Sequence, residues 1–269
     1  MSNKFRLRRW LFGKNRKNVF VKFLAKQSLK NIRHYENEDR NHIRNGEFWL
    51  QNTLLNYLKT KKTQLTIFDV GANNGDWALN ILKIHPDVNL HCFEPSENTF
   101  SILTEKLSAF TNVKSNKFGL SKNQQIIEFF ENDASDVTSL YRRFNARNNK
   151  KIKVSLVSGD NYIVENNIEE INFLKIDVEG MEYDALLGLK SSLSNKIIHL
   201  IQFEYGEFNI HSEKMLKHFY ELLPNYYIGK LYPNDIEFQE WSIDMENFRP
   251  ANIIAIHKSC DDLLKLFNR

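Results

Sequence analysis

Short apolar runs and amphipathic helical stretches alternate along the chain from residue 61 onward. The apolar runs predict strands at 64–70, 88–94, 112–118, 171–177, 197–203, 226–231 and 252–257. Apolar positions at helical spacing predict helices at 74–84, 97–109, 182–191 and 212–223, the last with Ser212 as its N-cap. This alternation predicts an α/β fold with a mostly parallel, doubly wound sheet covered on both faces.

Two parts of the chain depart from this pattern. Residues 1–60 are predicted to be helical and to form an N-terminal extension on a domain of residues 61–269. Farther on, two short strands are predicted on either side of a polar stretch, at 126–130 and 152–157, with the polar stretch at 131–150. A long irregular insert in a compact domain is often a binding loop or a lid, and we expect one here.

Acidic residues stand at the carboxyl ends of four predicted strands. They are Asp69, Glu94, Asp177 and Glu204. Ligands of open α/β sheets bind outside the carboxyl ends of the strands. The pattern therefore predicts one site that gathers these four carboxylates.

A glycine loop follows the first of these strands, in the segment D69-V-G-A-N-N-G75. Gly71 and Gly75 let the backbone approach a ligand where a Cβ would clash. Glu94 follows 25 residues after Asp69 and can accept hydrogen bonds from both ribose hydroxyls of a nucleoside. The spacing lacks the G-x-G-x-x-G of nicotinamide cofactors, which argues against a dehydrogenase and favours S-adenosylmethionine.

A second dense motif, L174-K-I-D-V-E-G-M-E182, places three acids at the end of a buried strand. Acids so close together are costly without a cationic partner, and the sulfonium of S-adenosylmethionine is one such partner. We assign Asp177 to the site on this ground. The simpler interpretation of Glu179 and Glu182 is that they cap the following helix, whose dipole favours negative charge, and for Glu182 we prefer it.

The net charge of +4 is concentrated in the first 35 residues, which carry eleven Lys and Arg and no Asp or Glu. The same segment carries several aromatic residues, Trp10, Phe20 and Phe23 among them. A basic and aromatic helical segment is typical of contact with an anionic membrane or an anionic glycan. The simpler alternative is a solubilising arm, or a helix packed on the domain.

The apolar runs, the N-terminus and the cysteines of the sequence indicate where the protein is located. No apolar run approaches the roughly 20 residues that cross a bilayer, and the N-terminus lacks the apolar core of a secretory signal. Cys92 and Cys260 form neither a disulfide framework nor a metal-binding spacing. We expect a cytoplasmic protein. Contact with a membrane would be peripheral, at the surface of the bilayer.

The motifs D-V-G-A-N-N-G, F-E-P, F-G-L-S and L-K-I-D-V-E-G-M-E together resemble the FkbM-type methyltransferases over residues 65–205. The resemblance implies a class I methyltransferase Rossmann-like fold with a seven-stranded sheet whose last strand is antiparallel. It also implies S-adenosylmethionine as the methyl donor. The expected activity is O-methylation of a saccharide or of a related hydroxyl-bearing small molecule.

The resemblance also carries roles over to individual positions. It implies that the methionine part of the cofactor is lined by Asp69, Gly71, Asn73 and Gly75. Glu94 is expected to hold the ribose, and Gly119 to Ser121 to lie near the adenine. Asp177 and Glu179 are expected to face the reacting centre. Residues outside the shared motifs, at 1–60 and 131–150, are expected to choose the acceptor.

Methyl transfer to a hydroxyl requires the acceptor oxygen in line with the methyl group, and a base to take its proton. The candidate bases are Asp177, Glu179 and Glu204. His199 lies inside an apolar strand, so we interpret it as a core histidine. A Mg²⁺ between Asp177 and Glu204 is an alternative, since oxygen ligands suit that ion, but the resemblance does not require a metal and we expect none.

Two other functions share the same fold. A nucleic-acid methyltransferase would account for the basic arm, but its usual Asn/Asp-Pro-Pro-aromatic motif is replaced here by D177-V-E-G. A non-catalytic, cofactor-binding subunit would account for the fold, but the intact glycine loop and the clustered acids argue against lost activity. Both are weaker than the O-methyltransferase.

Overall fold

The computed structural model describes residues 3–132, 138–139 and 149–268. In these ranges the strands are β1 (Thr66–Val70), β2 (Asn89–Phe93), β3 (Val113–Asn116), β4 (Gly119–Ser121), β5 (Gln125–Asn132), β6 (Thr138–Ser139), β7 (Asn149–Ser158), β8 (Phe173–Ile176), β9 (Leu200–Tyr205), β10 (Tyr226–Tyr232), β11 (Asp235–Phe238) and β12 (Ala251–His257).

The helices in the same ranges are α1 (Asn3–Arg8), α2 (Val19–Tyr35), α3 (Glu47–Leu58), α4 (Asp76–Ile84), α5 (Glu97–Leu107), α6 (Gly159–Glu165), α7 (Glu182–Leu187), α8 (Lys190–Ser194), α9 (Phe208–Ser212), α10 (Leu216–Leu222) and α11 (Asp261–Phe267). A π-helical segment, Arg9–Lys14, follows α1, and a single 3-10 turn spans Ile243–Met245.

The main sheet has the strand order β11-β10-β12-β9-β8-β1-β2-β3. Strands β3, β2, β1, β8 and β9 run parallel, and β12 lies antiparallel between β9 and β10. The seven predicted strands are therefore confirmed, including the antiparallel last strand. The short β11 pairs with β10 and adds an eighth strand at that edge.

Two hydrophobic layers cover the two faces of this sheet. Neighbouring strand residues such as Ile67 and Phe68 point into different layers, and both are fully buried. Helices α3, α4, α5 and α11 contribute to one layer, and α6, α7, α8 and α10 to the other. Burial on both faces explains why these strands read as continuous apolar runs in the sequence.

The N-terminal 60 residues divide into an exposed part and a packed part. Leu50, Leu54 and Leu55 of α3 are fully buried in the same layer as the β1 residue Ile67. In contrast, α1 and α2 are mostly exposed. The predicted domain boundary at residue 60 stays a prediction, and the packing of α3 favours a boundary nearer residue 36.

A second, four-stranded sheet has the order β4-β7-β5-β6. Strands β5 and β7 form an antiparallel pair that is longer than the predicted strands 126–130 and 152–157. Most of the predicted lid, at 131–150, lies outside the described residues, so that interpretation is untested.

Two predicted helices are wrong in their bounds. The helix predicted at 212–223 begins at Leu216, because Glu213 adopts a left-handed conformation (φ 55°) that ends α9, and Met215 rather than Ser212 precedes the first turn. The helix predicted at 182–191 is divided into α7 and α8 at Gly188. A Cβ on Gly188 would lie 2.0 Å from the Ser121 carbonyl oxygen, so this close contact with β4 requires glycine.

Candidate active site

Two clefts adjoin at the carboxyl ends of the central strands, where the sequence predicted a site. The first cleft lies over the β1–α4 turn and includes Gly71, Ala72, Asn73, Asn74, Asp76, Trp77, Glu94, Pro95, Phe129, Lys175 and Val178. The second cleft lies over β8 and β9 and includes Asn37, Asp39, Asn45, Gly180, Glu182, Glu204, Glu207, Asn209 and Asn252. Both clefts are lined by Arg40, Glu47, Asp177 and Glu179.

The β1–α4 turn forms the floor of the first cleft. Gly71 has φ 81° and Asn73 has φ 49°, both in the left-handed region. A Cβ on Gly71 would lie 1.9 Å from the Asp177 carbonyl oxygen, so the turn can pack against the end of β8 only with glycine here. The backbone N–H groups of Gly71 and Ala72 both donate to the Phe93 carbonyl at 3.0 Å, which ties the turn to β2.

Glu94 follows β2 and faces the first cleft from a buried position. Its Oε2 accepts from the backbone N–H of Asn73 at 2.9 Å, and its Oε1 accepts from the backbone N–H of Ser96 at 2.9 Å. Burial raises the pKa of Glu94, although these hydrogen bonds oppose the shift. Two backbone donors and the Thr99 side chain thus fix the carboxylate at the edge of the first cleft.

Lys175 lies between two of the site's carboxylates inside β8. Its Nζ lies 3.3 Å from Asp69 Oδ1 and 3.5 Å from Asp177 Oδ2. Burial alone would lower the pKa of Lys175, but the carboxylates of Asp69, Asp177 and Glu47 raise it above its ordinary value. Lys175 therefore carries a buried positive charge that orients Asp177 toward the junction of the two clefts.

The loop from Asp177 to α7 carries Glu179 between the clefts. Glu179 has φ 52° and Gly180 has φ 105°. Glu182 accepts from the backbone N–H groups of Val178 and Gly180 at 3.1 Å, so its carboxylate holds the loop that precedes α7. The interpretation that it caps α7 stays a prediction. Burial raises the pKa of Glu182 to about 7, and the charge of Asp177 adds to that shift.

Glu204 ends β9 in the second cleft. Burial raises its pKa well above the ordinary value, and the neighbouring carboxylates of Asp177 and Glu179 raise it further. Its carboxyl group therefore holds a proton more readily than an ordinary glutamate does. A protonated carboxyl group at this position can donate a hydrogen bond to a ligand oxygen.

Four predicted site residues, Gly75 among them, line neither cleft in the part of the chain that the structure describes. Gly75 directly precedes α4, and a Cβ on it would lie 2.7 Å from Leu103 Cδ1. Asp69 is fully buried beneath the turn against Lys175, and Ser121 is fully buried in β4. Gly119 packs toward Leu156 and Pro95. Their predicted contacts with the cofactor remain predictions, and the structure gives Asp69 a role in holding Lys175.

His199 lies near the amino ends of the central strands, whereas the clefts lie at their carboxyl ends. It immediately precedes β9, whereas Glu204 lies at the other end of the same strand. Its Nε2 is 3.7 Å from Glu170 Oε2, and burial lowers its pKa. Its position agrees with the interpretation of a core histidine.

Several site residues were not predicted from the sequence. Lys175 did leave a signal, because it is a charge within the buried run F-L-K-I-D. Trp77 directly follows the glycine loop, and its buried Nε1 has no hydrogen-bond partner in the described part of the chain. Glu47, Arg40 and Asn209 left no comparable signal, because only the folded chain brings them to the clefts.

No metal centre is found in the described ranges. There, no three His, Cys, Asp or Glu side chains come together as a metal-binding group. The alternative of Mg²⁺ between Asp177 and Glu204 gains no support from this geometry.

Comparison with known proteins identifies the family. The sequence model described as the methyltransferase FkbM domain matches residues 69–227, which include both motifs of the site. The chain belongs to this family. It is therefore an S-adenosylmethionine-dependent methyltransferase, as the motifs predicted.

Two relatives and one solved structure illustrate the similarity of this FkbM-domain methyltransferase. The 2-O-methyltransferase NoeI of Sinorhizobium fredii is 24% identical over 192 residues, covering 66% of this chain and 78% of that protein. The hexuronic acid methyltransferase AglP of Haloferax volcanii is 27% identical over 141 residues, covering 52% of this chain and 56% of that protein. A precorrin-6y C5,15-methyltransferase from Geobacter metallireducens matches with a TM-score of 0.42 and 11% identity, covering 77% of this chain and 87% of that one.

The first cleft of this methyltransferase fits its methyl donor. Gly71 lets the turn that forms the floor pack against the end of β8, and Glu94 presents a fixed carboxylate of the kind that accepts ribose hydroxyls. The unpartnered Nε1 of Trp77 adds a donor to the same wall. When bound, S-adenosylmethionine supplies a methyl group already activated on a sulfonium, and Asp177 and Glu179 offer that cation negative charge.

Proposed function

We propose that this methyltransferase transfers the methyl group of S-adenosylmethionine to a hydroxyl of a saccharide bound in the second cleft. One observation carries the proposal: the first and second clefts meet at Asp177 and Glu179. A donor in the first cleft and a hydroxyl in the second would then face each other beside two carboxylates. Methyl transfer depends on this kind of alignment, with the reacting atoms about 3–3.5 Å apart.

The lining of the second cleft supports a polyhydroxyl acceptor. Glu47 is held in place from three sides, by Asn45 Nδ2 at 2.7 Å, Gln202 Nε2 at 2.8 Å and Asn252 Nδ2 at 3.3 Å. A wall of oriented carboxylates and amides suits sugar hydroxyls, because each hydroxyl can donate one hydrogen bond and accept others. The names of the two relatives, a 2-O-methyltransferase and a hexuronic acid methyltransferase, support an oxygen and a sugar as acceptor.

In this proposal the chain's own residues divide the work of the reaction. Asp177, fixed by Lys175, takes the hydroxyl proton as the oxygen attacks the methyl carbon, whose bond to the donor's sulfur breaks with its electron pair going to sulfur. Glu179 lies beside this centre and adds negative charge. Glu204, with its raised pKa, donates a hydrogen bond to a neighbouring acceptor oxygen. Glu94 holds the donor's ribose so that the methyl group points toward the second cleft.

Methyl transfer to defined saccharides tests the proposal. The full chain is incubated with S-adenosylmethionine carrying a labelled methyl group and with a set of oligosaccharides, and mass spectrometry locates the label. We expect O-methylated saccharide, and a rate about 100-fold lower for Asp177→Asn. The exposed Asp87→Asn serves as the matched control and is expected to retain the wild-type rate. Label in added RNA, with none in any saccharide, would contradict the proposal.

We also propose that the exposed N-terminal helices attach the enzyme to an anionic membrane. Trp10, Phe20 and Phe23 are more than half exposed, among the eleven cationic residues of this arm. No described helix is long and apolar enough to cross a bilayer. Aromatic side chains at the interface and Lys or Arg beside anionic headgroups account for binding of this kind.

Vesicle sedimentation separates this proposal from its alternatives. Replacing Trp10, Phe20 and Phe23 by Ala keeps every charge but removes the apolar contact. We expect the triple variant to lose most of its binding to vesicles of phosphatidylglycerol, while the exposed Ile126→Ala and Val164→Ala changes have no effect. Unchanged binding of the triple variant, or binding to heparin alone, would overturn membrane attachment.

A further inference from the structure

The second cleft is lined by many more acidic side chains than the single base that one hydroxyl requires. They come from the N-terminal segment, from the loop after β8, from the start of α7, and from the end of β9 and the loop after it, and they are Asp39, Glu47, Asp177, Glu179, Glu182, Glu204 and Glu207. Within the described ranges, Arg40 is the single cationic side chain that lines this cleft. Its NH2 group lies 2.8 Å from Glu207 Oε1, so its charge is already matched.

The cleft also contains one buried donor that points to a ligand. Asn209 is 2% exposed and lines the second cleft. Its Oδ1 accepts from the backbone N–H of Gly206 at 2.8 Å, which fixes the orientation of the amide. Its Nδ2 has no hydrogen-bond partner among the described residues. A buried donor without a partner is costly, and a ligand oxygen would satisfy it.

The two observations together define the chemistry that the second cleft can accept. The carboxyl groups give the cleft an excess of negative charge, which favours hydrogen-bond donors or positive charge on a ligand, and Asn209 Nδ2 can donate to a ring oxygen or a hydroxyl of that ligand. A carboxylate, sulfate or phosphate on the ligand would face like charges in a partly desolvated cleft, and this repulsion weakens binding. Lys175 does not offset this, because it is buried against Asp69 and Asp177.

Resting on the proposed saccharide methylation, we infer that the sugar unit bound in the second cleft is uncharged or carries a free amine. Its hydroxyl or ammonium groups donate to the carboxylates, and one of its oxygens accepts from Asn209. Sugar units bearing an acid group are excluded from this cleft by repulsion. The second cleft thus selects its acceptor by charge as well as by shape.

Binding to matched glycans tests this inference without requiring turnover. The full chain, loaded with S-adenosylhomocysteine, is applied to an array in which each sugar appears as the neutral hexose, the 2-amino hexose and the uronic acid. We expect the neutral and amino forms to bind at least about tenfold more strongly than the matching uronic acids. Uronic acids bound equally well or better, or no glycan bound at all, would overturn the inference.

A charge variant makes the test specific for the second cleft. Glu207→Gln removes one carboxylate and frees Arg40, and the exposure of Glu207 makes this change harmless to folding. We expect the preference for neutral over acidic glycans to fall about threefold to tenfold. The exposed Glu165→Gln changes the net charge equally but lies outside both clefts, and should leave the preference unaltered. An equal effect of both variants would assign the preference to overall charge and overturn the inference.

Calorimetry of S-adenosylhomocysteine on the same preparations separates this inference from the proposed function. Donor binding together with a preference for acidic glycans would refute only the charge selection. Failure to bind the donor would refute the methyltransferase site and the inference together.

Discussion

The ammonium of Lys175 is surrounded by carboxylates in the interior of the protein. Because Asp69 is fully buried, removing its cationic partner leaves an unpaired charge. We expect Lys175→Met to lower the free energy of unfolding by about 3–5 kcal/mol. The double variant Lys175→Met with Asp69→Asn should recover much of that loss, as measured by denaturant unfolding. A double variant as unstable as the single one would contradict this pairing.

Protonation of the Glu182 carboxyl group makes the free energy of unfolding depend on pH. Its pKa is about 7 in the folded chain against 4.5 as the ordinary value, so the folded state holds a proton that the unfolded state releases. Its contribution is therefore fully present below about pH 4.5 and is lost as the pH rises through about 7, a change of about 3 kcal/mol.

The isosteric variant Glu182→Gln lacks this proton equilibrium. We expect its free energy of unfolding to match the wild type near about pH 4 and to exceed it by up to about 3 kcal/mol near about pH 8. Denaturant unfolding across this range measures the difference. The exposed Glu105→Gln should follow the wild type throughout. A constant difference between wild type and Glu182→Gln would contradict the raised pKa.

Among the elements, the β1–α4 turn is the one whose geometry is most constrained. A Cβ on Gly71 would meet the Asp177 carbonyl oxygen at 1.9 Å, in a backbone conformation that side chains rarely adopt. We expect Gly71→Ala to cost at least about 3 kcal/mol of stability, and to weaken donor binding as the turn moves.

Gly13 provides a matched control for that substitution. It lies in the exposed N-terminal helical segment, and the nearest atom to its added Cβ would be Arg9 Cγ at 3.6 Å. We expect Gly13→Ala to change the free energy of unfolding by less than about 1 kcal/mol. A thermal unfolding comparison of the two variants checks both statements, and equal effects would contradict the account of the turn.

The elements also show how far sequence reasoning could go. The central strands were predictable, because burial on both faces leaves continuous apolar runs, and the acids at their ends were predictable from the same pattern. The end of α9 was not, because it depends on the single left-handed residue Glu213. The contribution of Glu47 to the site was also not predictable from the sequence, because Glu47 contacts Gln202, a residue 155 positions away.

At the scale of the whole molecule, the two clefts are built by different parts of the chain. The first cleft uses mainly the family's shared motifs, which the sequence displays directly. The second cleft adds Asn37, Asp39 and Asn45 from the N-terminal 60 residues, as well as Asn209, whereas Arg40 and Glu47 line both clefts. This division agrees with the expectation that residues outside the shared motifs choose the acceptor, although that expectation remains a prediction.

The central claim is that the first cleft binds the methyl donor through Glu94. Calorimetric titration of S-adenosylmethionine and S-adenosylhomocysteine into wild type, Glu94→Gln and the exposed control Glu105→Gln tests it directly. We expect both ligands to bind wild type and the control equally, and Glu94→Gln to bind them about tenfold to 100-fold more weakly, because a charge-assisted hydrogen bond is lost. Absence of binding to wild type, or unchanged affinity in Glu94→Gln, would contradict the account.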